Sequence, residues 1–251
     1  GRRFWKRAIV RTESKDFIQW SVPQLIMVPD DDDPGQIHGA SVFYLHGTFL
    51  ALMQRLDFGG FDRGGSGNMP AELGSSRDGV HWQRPFRERM FLPVTGEGDS
   101  FDAGCLWTSS TPIHLPEETR FYYGAYPGWN SDLENESTGI GFATLQRDRF
   151  VAIEPQDRIA QVTLKPIELG NVKRLTLNAD AAAGEVRVEL LTAEGYRVAN
   201  FTRDHSIAIA GDSLQHPVKW KKKTMANLAP GRYQLRVHLN NAKLFALTAE
   251  R

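Results

Sequence analysis

Ser14-Lys15-Asp16-Phe17-Ile18-Gln19-Trp20-Ser21-Val22-Pro23 and Ser76-Arg77-Asp78-Gly79-Val80-His81-Trp82-Gln83-Arg84-Pro85 are two copies of one pattern, Ser-(Lys/Arg)-Asp-x-(Ile/Val)-x-Trp-x-x-Pro. The first begins at residue 14 and the second at 76, an offset of 62. A period of about 60 residues is long for a solenoid and suits a four-stranded propeller blade with long loops. Each copy reads as a hairpin. Ala8–Thr12 and Ala71–Ser75 are the outgoing strands. The Asp side chain bonds backbone N–H groups in the turn, and Gly79 is free to take positive φ. The Trp then returns on the second strand, where its ring fills space between packed sheets. The competing reading makes Asp16 and Asp78 catalytic, and the turn reading is preferred. Gln146-Arg147-Asp148-Arg149-Phe150 is a weaker third copy, with Phe150 in the place of the tryptophan.

Working outward, Gly39–Leu45, a turn at His46-Gly47 and Thr48–Leu56 lie between the two copies. The order recurs in Gly104–Leu115, a turn at Pro116-Glu117-Glu118, Thr119–Tyr126, Gly139–Leu145 and Phe150–Ile153. Two four-stranded units are therefore expected, roughly 38–85 and 102–155, with residues 4–22 supplying the last two strands of another. Meandering sheets repeated in this way predict an all-β chain with propeller-type blades over 1–162, incomplete at the N-terminus. Two and a half blades close no ring, so the reading requires missing N-terminal blades, a homo-oligomer, or a different packing of the sheets. From about Thr163 the pattern changes to short strands such as Leu175–Asn178, Glu185–Leu191, Tyr196–Phe201, Ile207–Ile209, Pro217–Trp220, Arg232–Leu239 and Leu244–Leu247. Alternation of Val186, Val188 and Leu190 with Arg187 and Glu189 marks one buried face, and 163–251 reads as a C-terminal β-sandwich.

Composition narrows the function. The chain has 251 residues and balances 30 Lys+Arg against 30 Asp+Glu, without the basic excess of a general nucleic-acid binder. Its one cysteine, Cys105, makes no intrachain disulfide or cysteine-cluster zinc site; without a local activating partner it reads as a packed thiol. The longest apolar run, near Val42–Met53, is broken by His46 and Gly47, and no membrane span or signal peptide is read. A soluble protein is expected, bacterial and either cytoplasmic or secreted after signal removal. The first residue is Gly1, which suggests a cleaved or longer polypeptide.

In a four-stranded meander the first strand's start, the middle loop and the last strand's end share one edge. That edge collects Asp30–Asp33, His38, the Gly-rich loop Asp57–Pro70, Glu72, Glu97, Asp99, Asp102 and the loop Pro127–Thr138. Aromatic rings with carboxylates suit a saccharide: rings stack on sugar faces, and acids bind hydroxyls or move protons. The candidate catalytic residues are Asp102 with Glu72 or Glu134; the candidate binding residues are His38, Trp107, Trp129, Asn130 and Asp132. Asp102 either faces an axial pocket or caps a turn. His38 either binds substrate or plays a structural part. The Asp30–Asp33 run reads as a solvated acidic loop, with a structural Ca²⁺ as the alternative; no other cofactor or metal is expected. Lys221-Lys222-Lys223 reads as a solvated loop, with contact to an anionic partner as the alternative. No GxGxxG, Walker or GxSxG arrangement is present.

The repeat at Ser76–Pro85, followed by Phe101-Asp102-Ala103-Gly104 and Phe121-Tyr122-Tyr123-Gly124, resembles the later blades of proteins related to glycoside hydrolase families 32 and 43. Leu177-Asn178-Ala179-Asp180, Gly184–Glu189, Gly211-Asp212-Ser213, Val218-Lys219-Trp220 and Asn241–Leu244 resemble the sandwich that follows such blades. The resemblance implies a five-bladed β-propeller, a saccharide ligand and an axial pocket. The family's catalytic Asp, second Asp and Glu lie on its first three blades. No Trp-x-Asn-Asp-Pro, Arg-Asp-Pro or Glu-Cys segment occurs here, so no family catalytic residue is carried over. The expected function is a glycoside hydrolase-like protein that binds and hydrolyses a saccharide, with a non-catalytic binding or assembly module as the alternative.

Overall fold

The computed structural model describes residues 6–30, 33, 35–57, 67–96, 100–127 and 137–251. The described regular structure is strand, apart from single 3-10 turns at Arg203–His205 and Met225–Asn227. The chain divides into two compact units. One comprises Gly1–His114 with Arg120–Thr144, the other Leu115–Thr119 with Leu145–Arg251.

In the first unit β1 (Ile9–Arg11) pairs with β2 (Gln24–Met27) as a two-stranded antiparallel sheet. Strands β3 (Gln36–Leu45), β4 (Thr48–Leu56), β5 (Ala71–Ser76) and β6 (Trp82–Gln83) then form the expected antiparallel meander, in the order β3-β4-β5-β6. His46 and Gly47, at φ 46° and 79°, join β3 to β4. Two successive positive-φ residues turn the chain with the twist that paired strands require. Strand β4 is buried from Ala51 through Leu56, so both of its faces are covered. Met27, Ile37, Ala51 and Met53 form one core cluster, and Trp82 packs against it.

The repeat is a turn motif at atomic level. In the first copy Asp16 Oδ1 accepts Ile18 N–H at 2.8 Å and Gln19 N–H at 2.8 Å. In the second, Asp78 Oδ1 accepts Val80 N–H at 2.9 Å and His81 N–H at 2.8 Å. The serine hydroxyl donates to the same oxygen in both, at 3.1 Å from Ser14 and 3.0 Å from Ser76. The left-handed position is filled by Phe17 (φ 62°) in one copy and Gly79 (φ 73°) in the other. The tryptophans differ: Trp20 is 50% exposed and lies edge-on to Phe17 at 5.0 Å, whereas Trp82 supports the core. The third copy is not this turn, because the positive φ falls on Asp148 itself instead of the residue after it. Gly79→Ala is expected to lower stability by about 1 kcal/mol through its left-handed backbone alone, measured by urea denaturation. The Cβ would meet only Phe49, at an ordinary 3.7 Å.

The second sheet departs from expectation at two places. Strands β7 (Cys105–Thr108), β8 (Ile113–His114), β9 (Glu118–Tyr126) and β10 (Gly139–Gln146) are arranged β10-β9-β7, with β8 also on β9. The single strand expected over Gly104–Leu115 is broken before Ile113, where Pro112 brings no N–H to the ladder. The fourth strand expected at Phe150–Ile153 does not extend this sheet. Ile153 instead exchanges hydrogen bonds of 2.8 and 2.9 Å with Leu244.

In the second unit, β11 (Ile159–Thr163), β12 (Ile167–Glu168), β13 (Arg174–Thr192), β14 (Ile209–Pro217), β15 (Arg232–Asn240) and β16 (Lys243–Glu250) form one sheet. Its spine is β13, 19 residues long. The first half of β13 pairs with β14 and β16, and the second half pairs with β15. The two strands expected at Leu175–Asn178 and Glu185–Leu191 are thus one strand. The lack of a side chain at Gly184 lets β13 pass close to β15, since a Cβ there would lie 1.9 Å from Asn240 O. Leu175, Leu177, Val186, Val188, Leu235 and Val237 from both halves and from β15 enter the same core. The expected strand at Tyr196–Phe201 is a loop that makes one bridge, Leu191 to Arg197, and buries Phe201.

Candidate functional site

The first strands of the two larger sheets of the first unit meet. Ser41 Oγ on β3 donates to Thr108 O on β7 at 3.1 Å, and Thr108 Oγ1 donates to Ser41 Oγ at 2.9 Å. Next to this seam His38 and Trp107 come together, with ring centroids 4.8 Å apart and planes at 90°. His38 is aimed by an irregularity of the ladder. Ile37 pairs with Arg55 and Gly39 with the adjacent Gln54, so His38 is an extra residue with no cross-strand counterpart. Such bulges re-aim a side chain and recur beside binding sites. Gln54 Oε1 packs close against Gly39, where a Cβ would lie 2.4 Å away, so a larger residue there would displace the Gln54 side chain. Burial, with the Arg7 charge adding to it, lowers the His38 pKa, so the imidazole is neutral at pH 7.

Trp107 is 37% exposed. Its cross-strand partner is Gly124, where an added Cβ would meet nothing within 4 Å. The backbone at Gly124 therefore borders open space. Burial raises the Tyr126 pKa, and the neighbouring Trp107 indole opposes the rise. Beneath it Cys105 is fully buried with Leu56 and Met69, its pKa pushed up to about 11 by burial. It is a packed, unreactive thiol.

Glu72 does not face a pocket. It is fully buried and accepts from Arg84 Nε at 2.9 Å, Arg84 Nη2 at 2.8 Å and Arg55 Nη1 at 3.1 Å. Asp33 completes the cluster, at 2.6 and 2.8 Å from Arg84 and 3.3 Å from Arg55. Two carboxylates and two guanidiniums, all at most 8% exposed, cancel one another. They tie the segment before β3 to β4, β5 and the end of β6. Glu72 is therefore part of a buried ion-pair cluster that ties strands together. Burial opposes ionisation of Asp33, yet the Arg84 hydrogen bonds, Asp30 N–H and both guanidiniums hold its pKa below the usual carboxylate range. The expectation of a solvated acidic loop fails at Asp33 for this reason, while Asp31 and Asp32 lie outside the described residues.

Asp102 sits in the turn before β7, not at a strand start. Its Oδ1 accepts Ser100 Oγ at 2.5 Å and Thr95 Oγ1 at 3.1 Å, and its Oδ2 accepts Tyr123 OH at 2.9 Å. Burial raises its pKa, but these three hydroxyls outweigh it and leave the group ionised below its ordinary value. Tyr123 is correspondingly pushed up to about 12, by burial and then by Asp102, and stacks parallel to Phe101 at 6.4 Å. Gly141 makes room for that stack, since a Cβ would lie 2.8 Å from the Tyr123 ring. Asp102 and His38 thus belong to different side-chain groups. Tyr123→Phe is expected to raise the Asp102 pKa toward its ordinary value, read from the carboxyl ¹³C shift during an acid titration.

Glu134, Trp129, Asn130 and Asp132 lie outside the described residues, as do Glu97 and Asp99. Among the described residues no three His, Cys, Asp or Glu side chains converge as metal ligands. Sequence reading missed Arg55 and Arg84. The available signal was a charge at Arg55 at the end of the otherwise apolar strand Thr48–Leu56 and another at Glu72 opening the next strand, since charges on strands buried on both faces require partners.

No protein-family model matches the chain, and no curated protein matches it. Among solved structures it is similar to a GH32 beta-fructofuranosidase of Bombyx mori, with a TM-score of 0.33 and 10% identity, over 96% of this chain and 61% of that one. It is also similar to a glycoside hydrolase, with a TM-score of 0.30 and 13% identity, over 94% of this chain and 64% of that one. The chain spans less than two thirds of either length. Likeness at this level assigns neither a site nor an activity, and the all-β architecture stands on the chain's own sheets.

Proposed function

We propose that the chain is a glycoside hydrolase-like protein that binds a saccharide where β3 meets β7, with His38 and Trp107 in contact with the sugar. The observation that carries this reading is the partly exposed Trp107 indole, held edge-on against His38 on a bulge of β3. An indole stacks on the C–H face of a pyranose or furanose ring, and a neutral imidazole donates to or accepts from its hydroxyls. Binding is favoured over hydrolysis by the surroundings of the two candidate carboxylates among the described residues. Glu72 is locked under two arginines, and Asp102 has both oxygens engaged by hydroxyls. Glycoside hydrolysis needs an acid that holds a proton near neutral pH beside a second carboxylate, and neither of these fills that part.

Calorimetric titration with neutral oligosaccharides, run beside a product screen on the same glycans, tests the reading. Saturable binding without product is expected, with at least about tenfold weaker binding in Trp107→Ala, the loss typical of one stacked ring. Product formation that Asp102→Asn abolishes would replace it with hydrolysis at Asp102. Unchanged affinity in Trp107→Ala would remove the proposed site.

A further inference from the structure

The second unit contains a cavity of about 400 Å³, within the size range of small-ligand sites. Leu175, Val218, Trp220 and Met225 form its buried wall. Trp220 is fixed there, its Nε1–H donating to Val188 O at 2.9 Å and its ring lying 5.0 Å from that of Phe201. With its one polar atom satisfied, Trp220 presents carbon to the cavity. The rim has the opposite chemistry, with Lys173, Arg174, Lys219 and Lys223. Arg174 lies 3.9 Å from Glu250 and donates to Gln215 Oε1 at 3.4 Å. No carboxylate among the described residues pairs with Lys173, Lys219 or Lys223. Four cationic residues thus line the cavity, and among the described residues one of them, Arg174, has a carboxylate within ion-pair distance. Lys223 belongs to the run read from sequence as a solvated loop. Its neighbour Lys221 is occupied differently, donating to Asp204 O at 3.0 Å.

We propose that this cavity binds an organic anion with an apolar body, the size of a medium-chain carboxylate. The hydrocarbon lies against Leu175, Val218 and Met225, and the carboxylate is held by Lys219 and Lys223. Neither half of the cavity is explained by a ligand of one character. A bare anion leaves the apolar wall wet, and a neutral hydrocarbon leaves the rim charges without a counterion.

Calorimetric titration of the full chain with decanoate tests this, with decyltrimethylammonium and inorganic phosphate as comparison ligands. Saturable one-to-one binding of decanoate is expected, weakening as salt is raised. The Lys219→Ala/Lys223→Ala variant should bind about tenfold more weakly. Ile207→Trp, which fills the mouth without changing charge, should abolish binding. Ile207 and Lys219 are exposed and Lys223 is half-buried, so circular dichroism should match the parent. Absence of saturable decanoate binding overturns the proposal. So does equal affinity for the decyl cation or for phosphate, or affinity unchanged in both variants.

Discussion

Arg84→Met is expected to lower the unfolding free energy by about 3–5 kcal/mol, the range found when one partner is removed from a buried ion pair. Arg84 bridges Asp33 and Glu72, whose side chains are 2% and 0% exposed. Its loss leaves two buried carboxylates sharing Arg55, so one of them must take up a proton or draw in water. The exposed pair Arg87–Asp30 provides the control, with side chains 40% and 46% exposed. Arg87→Met should change stability by no more than about 1 kcal/mol, because water screens such pairs. Urea denaturation of both variants measures the contrast. Equal small losses would mean that the buried cluster contributes no more than a surface pair.

Glu189→Gln is the second large effect. Glu189 is 1% exposed on β13, and its oxygens receive Arg236 Nη1 at 3.2 Å, His238 Nε2 at 3.2 Å and Arg203 N–H at 3.4 Å. Arg197 Nε lies 3.5 Å away but is 70% exposed. Because Arg197 and Arg236 retain access to water once the carboxylate is gone, the expected loss is about 2–3 kcal/mol, below that of Arg84. Burial raises the Glu189 pKa, but the His238 bond, Arg203 N–H and the neighbouring charges outweigh it, so the folded value lies below the ordinary 4.5. A carboxylate with a depressed folded pKa stabilises above its unfolded pKa and loses that contribution as pH falls through the folded one. The gap between parent and Glu189→Gln should therefore be full at neutral pH and shrink below about pH 4.5. A gap independent of pH down to 2 would show that the charge of Glu189 is not what stabilises this sheet.

What the sequence discloses follows from the range of the interactions. The Asp-centred turns were legible because every bond in them joins residues within three positions, as from Asp78 to Val80 and His81. The β3–β6 meander was legible for a similar reason: His46-Gly47 and the Asp78 turn set two of its three connections. The Arg84–Asp33 bond joins residues 51 apart, and no local pattern announces it. Ile153 shows the same limit, since an apolar segment placed one blade-length on reads as a fourth strand but pairs with Leu244 instead. At the candidate site, residue type was enough to single out His38 and Trp107. The bulge that brings them together depends on the register of β3 against β4, which is set by the whole sheet.

The chain has six tryptophans, and among the described ones Trp107 is paired edge-on with His38. The position of its indole N–H resonance during a neutral oligosaccharide titration is the most direct test of the proposed sugar contact. The Trp107 signal should move saturably, while those of Trp82, bonded to Gly79 O, and Trp220, bonded to Val188 O, stay in place. A stationary Trp107 signal under conditions where the oligosaccharide is bound would contradict the account.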